Sequence, residues 1–261
     1  MTLNQCGRLL WSAHESSQQD SRAAATAMLS TLGAAVLFFL SCNNQLQAAH
    51  TRWIRYGSGY EPGGLSIEDS RFDYYLPQPP VILLPDTSLP FGIGMLLQAL
   101  GLLLLLLCLL HLRPRSAVRA RRIQRLCGLL AAASSALLGI EAVVTGLNAT
   151  LFDRFSTHWA AIPVLALAGP ALLVLGVFAW WRMPSLAIAL MCSMSTSIIG
   201  YLASALLIAP LVTGHDSFDA VPGTETIVAL GTGAAAAACL LTALSLLRQE
   251  FLRSCPPTLL R

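Results

Sequence analysis

Six long apolar stretches, over roughly 23–40, 91–112, 126–147, 159–181, 186–212 and 226–247, divide this chain, and its charges sort between the segments that join them. Each stretch is about 18 to 27 residues, enough to cross a hydrocarbon core of ~30 Å as a helix. With the N-terminus cytoplasmic, twelve of the sixteen arginines fall inside, and only Arg52, Arg55, Arg71 and Arg154 fall outside. The acids sort the other way: nine lie outside, three inside, and Glu141 stands within a span. Positive loops resist translocation, so this asymmetry orients the helices. The expectation is an all-α polytopic membrane protein with six transmembrane helices and both termini cytoplasmic.

The segments follow from that layout. Residues 1–22 form a polar cytoplasmic N-terminal segment, 23–247 the transmembrane domain and 248–261 a cytoplasmic tail. Within the domain lie a long outer loop over 41–90 and a basic inner loop over 113–125. With 55% hydrophobic and 11% charged residues, the chain fits the membrane class. The first apolar run starts too late and lasts too long for a cleaved leader and reads as a signal anchor. A net charge of +3 hides the split between the two sides; it points to the anionic inner leaflet rather than to nucleic acid. Of the seven cysteines three lie in spans, three on the inner side and Cys42 at an outer helix end; no outer loop carries two, so none is stapled by a disulfide.

The outer loop alternates aromatic and basic residues from Thr51 to Tyr56 and turns at Gly57-Ser58-Gly59 and Pro62-Gly63-Gly64. Its extended segments 52–56 and 81–84 are expected to pair as strands over the helix ends. Trp53, Tyr56, Tyr60, Phe72, Tyr74 and Tyr75 either form a small packed lid or sit among the headgroups. The leucine run of the second span faces lipid. Small residues fill the third and sixth spans, which places both inside the bundle where backbones approach closely. Gly169-Pro170 is expected to kink the fourth span.

Three polar residues stand out within the spans. Glu141, Thr145 and the flanking Ser134 and Asn148 share one stripe of the third helix, and Gln98 of the second lies at similar depth. A charge at that depth costs ~2.5–3.5 kcal/mol, so Glu141 is either a proton or ion relay or a protonated acid clasping Gln98 or Thr145. On the inner side, Arg113, Arg115, Arg119, Arg121, Arg122 and Arg125 orient the chain or bind anionic lipid heads such as phosphoinositides. The five histidines lack metal-ligand spacing, and the Ser193–Ser197 run has no neighbouring base and bonds locally. No enzyme, metal site or cofactor is expected. Asn148-Ala149-Thr150 fits an N-glycosylation acceptor.

Val144-Thr145-Gly146-Leu147-Asn148 is followed by His158 ten residues on and by Gly169 eleven further. With Asp86-Thr87, Pro90 and the exit Arg248-Gln249-Glu250-Phe251, this pattern resembles the damage-regulated autophagy modulator family of six-span membrane proteins. Ala149-Thr150 stands where that family has Phe-Gln, and the likeness covers residues 81–252. The resemblance implies a non-enzymatic regulator of endolysosomal or plasma membranes. Such a protein modulates autophagy or scaffolds phosphoinositide-linked signalling through cytoplasmic partners. Asn148, His158 and Gly169 would then be structural anchors. The alternative reading is a small transporter or channel with Glu141 in its pathway.

Overall fold

The computed structural model of the chain describes residues 3–56, 72–75, 84–112, 118–147, 158–214 and 221–254. Every regular element among them is helical. Helix α1 spans Leu3–His50 and runs on through a π-helical turn, Thr51–Arg55; α2 spans Pro85–His111, α3 Val118–Leu147 and α4 His158–Trp180. A broken segment follows: α5 (Pro184–Cys192), a 3-10 turn (Ser193–Thr196), α6 (Ile198–Ala203), a π-turn (Ser204–Ile208) and α7 (Ala209–Thr213). Helix α8, Thr224–Ser254, closes the fold.

Among the described residues four helices are long and apolar enough to cross a membrane: Ser21–Arg55, Asp86–His111, Val118–Leu147 and Thr224–Leu252. The bent pair Pro184–Thr196 and Ile198–Thr213 raises that number to five if it counts as one span. The described apolar part of α4, Leu165–Trp180, is shorter. Neighbouring helices pack in chain order from α1 to α5, α5 packs on α8, and α8 returns to α1. A ring results, and its inward stripes make the core.

The packing follows the small residues. Gly128, Gly139 and Gly146 of α3 abut Leu106, Leu96 and Leu89 of α2, while Gly231 and Gly233 of α8 abut Ser195 and Cys42. Missing side chains bring backbones together where lipid offers no hydrophobic drive. Both helices still expose a face, with Leu129 and Ile140 on α3 and Leu241 and Leu244 on α8. They are ring members rather than central helices. The leucine run of α2 departs from its lipid-facing expectation. Leu102, Leu105, Leu106 and Leu109 are buried and only Leu103 and Leu107 face out, since α2 packs on both α1 and α3.

Two further expectations change. Residues 52–55 continue α1 as a helical turn instead of forming a strand. In the polar stretch after Leu40 the helix continues, with Ser41 and Gln45 turned inward onto α2 and Asn43 and Gln47 exposed. Residues 81–83 lie outside the described residues. The segment between the first two spans therefore begins near Tyr56 rather than at 41. Helix α4 is continuous through Gly169-Pro170, and a sharp break falls in the next segment.

That break bends the chain by 77°, and serine and threonine chemistry explains it. Ser193 Oγ donates to Ala189 O (2.8 Å), Thr196 Oγ1 to Ser193 O (3.0 Å) and Ser197 Oγ to Met194 O (2.7 Å). These bonds offer the backbone an alternative to the helical ladder. Ser197 turns extended (φ −81°, ψ 160°), and its Oγ caps α6 by accepting from Gly200 N at 3.1 Å. A Cβ at Gly200 would collide with Met194 O, so the bend needs glycine there.

Candidate functional site

Ser41, Gln45, Ala48 and Arg52 recur at helical spacing on α1 and share one buried face. That stripe carries two polar clusters, one inside the ring and one at the end of α1.

The inner cluster centres on Gln98 of α2. Its Oε1 accepts from Gln45 Nε2 (3.2 Å) and Thr232 Oγ1 (3.4 Å). Its Nε2 donates to Ser193 O (3.4 Å) and to Thr196 Oγ1. A carboxamide has two donor and two acceptor positions, and all four are used. Gln45 adds a bond to Ser41 Oγ (2.9 Å), whose hydroxyl donates to Gly94 O at 2.7 Å. Four segments are thus tied at one level: α1, α2, α8 and the 3-10 turn. Gln98 has no hydrogen bond left for Glu141, so the expected Gln98–Glu141 clasp does not form. Glu141 is half-buried on α3 and Thr145, one turn on, is buried. Gln98→Leu is expected to lower stability by about 2 kcal/mol, read as an earlier thermal unfolding in detergent.

The second cluster was hidden among residues assigned to outer segments. Arg52 is 0% exposed, Glu225 3% and Asp73 5%. Arg52 Nη1 lies 2.5 Å from Glu225 Oε1 and 3.7 Å from Asp73 Oδ1. Glu225 Oε2 accepts from Trp53 Nε1 at 2.6 Å. Asp73 Oδ1 accepts from Tyr75 N (2.7 Å) and its Oδ2 from the Tyr201 hydroxyl (2.6 Å). The Arg52 guanidinium also lies 4.7 Å from the Trp53 ring centre, within cation–π range. Burial of charge is tolerated only with such pairing and hydrogen bonding. Burial pushes the Tyr75 hydroxyl well above its ordinary range, so it stays neutral beside Asp73.

Aromatic rings seal this cluster. Tyr75 stacks on Tyr201 with ring centres 4.3 Å apart, and Tyr74 and Tyr75 both pack on Phe91. Phe72 and Leu84 pack with Trp53 and Tyr56. The packed-lid reading of the loop aromatics fits these contacts; Tyr60 lies outside the described residues. A crevice bounded by these rings, Gln45, Glu225 and Val228 links the two clusters, and it has no space for a water molecule. By contrast the Arg55–Asp86 pair, at 3.0 Å, is 65% and 51% exposed, so solvent screens it.

At the other end of the ring, Arg119, Arg121, Arg122 and Arg125 are exposed on the first turns of α3. None of the four has an ion pair among the described residues. Arg182 Nη1 donates to Leu112 O at 3.0 Å and satisfies a carbonyl at the end of α2. Arg113, Arg115 and the Asn148 acceptor lie outside the described residues. His158 opens α4, but its side chain lies outside them too. A Cβ on Gly169 would sit 3.0 Å from Ser197 Oγ, so this glycine lets α4 approach the break. No group of three or more His, Cys, Asp or Glu side chains able to hold a metal ion occurs among the described residues.

Sequence reasoning missed Arg52, Glu225, Asp73 and Tyr201 as partners. The available signal was the spacing from Ser41 to Arg52, which extends the first helix past its apolar run. Nothing in the sequence indicates which carboxylates Arg52 meets. No protein-family model, curated protein or solved structure matches this chain.

Proposed function

We propose that this chain is a non-enzymatic multi-pass membrane regulator or scaffold that works through its arginine-rich end. In this reading all six apolar stretches span the membrane, with both termini and the segment 113–125 on the cytoplasmic side. The observation that carries it is the contrast between the two kinds of polar group. The amides of Gln45 and Gln98 bond to each other, and Arg52 is paired with Glu225, while Arg119, Arg121, Arg122 and Arg125 are exposed, with no acid on α3 before Glu141. An unneutralised basic patch beside a bilayer attracts anionic headgroups at about 1 kcal/mol per arginine. Phosphoinositides are the headgroups proposed, and the resemblance to the damage-regulated autophagy modulator family supports an endolysosomal or plasma membrane setting with cytoplasmic protein partners.

The test is binding of the detergent-solubilised protein to vesicles with and without a phosphoinositide. Replacing Arg119, Arg121 and Arg122 by glutamine is expected to weaken binding to the anionic vesicles on the order of 100-fold. Unchanged binding defeats the lipid reading. Epitope accessibility of both termini tests the topology, and an external N-terminus defeats it.

The 77° break opposite Gln98 favours a second reading, a small transporter or channel. Discontinuous helices with polar partners at mid-bundle are a transporter device. Glu141 would lie in its pathway. Flux by the reconstituted protein that Glu141→Gln abolishes would replace the scaffold reading.

A further inference from the structure

Gln124 of α3 is 2% exposed, and its Nε2 has no hydrogen-bond partner among the described residues. A buried amide that donates to nothing costs about 1–3 kcal/mol, so its acceptor has to be looked for. Helices α2 and α3 pack antiparallel, with Gly139 at Leu96 and Gly128 at Leu106, which sets Gln124 beside the last turn of α2. Carbonyls of that turn are already engaged. Leu107 O accepts from His111 Nδ1 (2.8 Å), Cys108 O from Leu112 N (2.9 Å) and Leu112 O from Arg182 Nη1 (3.0 Å). On α3 no acid precedes Glu141, and Arg119, Arg121, Arg122 and Arg125 can only donate. The acceptor that suits Gln124 comes from outside the chain.

Helical geometry turns this amide toward the arginine-rich end. Arg121, Gln124 and Gly128 follow spacings of three and four, so they form one row of α3 along the α2 seam. Helical side chains lean toward the N-terminus of their helix, which carries the Gln124 amide to the turn of Arg121. Arg125, four residues after Arg121, heads a second row with Leu129, Ala133 and Ile140, all exposed. On α2 the outward residues of the leucine run are Leu103 and Leu107. Two charged donors and one buried neutral donor thus stand at the head of an apolar strip. A phosphomonoester matches the donors, since it offers several acceptor oxygens and a charge for each guanidinium. A lipid that carries such a phosphate also has chains for the strip.

We infer that the mouth of the α2–α3 seam is a headgroup site for one phosphoinositide of the protein's own leaflet. Arg121 and Arg125 hold its phosphate oxygens, and Gln124 Nε2 donates to an oxygen that reaches in between Arg121 and the end of α2. The acyl chains run down α3 along Leu129, Ala133 and Ile140. The inference rests on the regulator reading, which places this end on the cytoplasmic side, and narrows its lipid binding from a basic patch to a single site. Attraction to a patch follows charge alone. A site depends also on an uncharged donor and on the chains.

The test titrates dioctanoyl phosphatidylinositol bisphosphate, and separately its free inositol trisphosphate headgroup, onto the full chain in detergent. The wild type is expected to bind the lipid about 10-fold or more tightly than the headgroup. Gln124→Met keeps the side-chain length and every charge, and is expected to weaken lipid binding about 10-fold. Without lipid this variant is expected to unfold at the same or a higher temperature, since it removes an unpartnered amide. Equal affinity for lipid and headgroup overturns the proposal. So does wild-type affinity in Gln124→Met, or its earlier unfolding without lipid. If the glutamine replacements of Arg119, Arg121 and Arg122 weaken binding while Gln124→Met does not, the site fails and the regulator reading stands. If neither weakens it, both fail.

Discussion

Replacing Arg52 by glutamine is expected to destabilise the fold by about 3–5 kcal/mol, the cost of stranding buried carboxylates without their cation. Arg52, Glu225 and Asp73 are all buried, and Glu225 Oε1 lies 2.5 Å from the guanidinium. Thermal unfolding in detergent measures the loss, and an unchanged midpoint would mean that water reaches the cluster. Removing all three charges together, as Arg52→Met, Glu225→Leu and Asp73→Asn, is expected to recover most of it, because well-packed apolar groups can replace a buried ion cluster. The neighbouring Arg55→Gln tests the contrast. Its pair with Asp86 is more than half exposed, so ~0–1 kcal/mol is expected. Two arginines three residues apart in one sequence motif thus differ several-fold in effect.

Gly92→Val is expected to cost about 3 kcal/mol and to lower the yield of folded protein in the membrane fraction. A Cβ at Gly92 would lie 2.6 Å from Val143 N and 2.8 Å from Gly139 O, both backbone atoms of α3. Gly139 answers from the other side, where a Cβ would meet Leu96 N at 2.9 Å. Side chains at this crossing could yield, but these backbone atoms cannot, so the two backbones must separate. The separation also pulls α2, and with it Gln98, away from the α1–α8 contacts. Gly214→Ala serves as the control, since a Cβ there meets nothing within 4 Å. Its φ of 66° confines its cost to local strain of about 1 kcal/mol. Equal losses for the two variants would mean that the α2–α3 crossing does not limit folding.

Much of the helical layout was legible because its cause is local. Apolar runs of span length, bounded by prolines at 85 and 184 and by polar segments, fix where helices begin and which residues they contain. The glycines of α3 and α8 likewise announced close helix approach. The end of α1 was not legible from hydropathy. Ser41, Asn43, Asn44 and Gln45 look like the exit from a span, yet the helix continues for ten residues past Gln45, to Arg55. Only their spacing shows that Ser41 and Gln45 lie on the face that α2 and α8 cover. The serine run 193–197 was read as locally hydrogen-bonded, which holds for Ser193, Thr196 and Ser197, while Ser195 Oγ donates across to Val228 O of α8 at 3.0 Å. That it breaks the span by 77° depends also on Gly200 allowing Met194 O to approach.

Sequence alone determined the helical class and the membrane character, since each rests on composition and spacing within one stretch of chain. The tertiary structure decided which charges are structural. Arg52, Asp73 and Glu225 are separated by 21 residues and then 152 in sequence, and no local rule pairs them. They meet because α1 overruns its apolar core at the same end where α8 begins, and because residues 72–75 fold onto Phe91 and Tyr201. The pairing energy of a charge depends on what the packing places within a few ångströms of it and on how much water that packing removes. Those two quantities exist only once the helices are assembled.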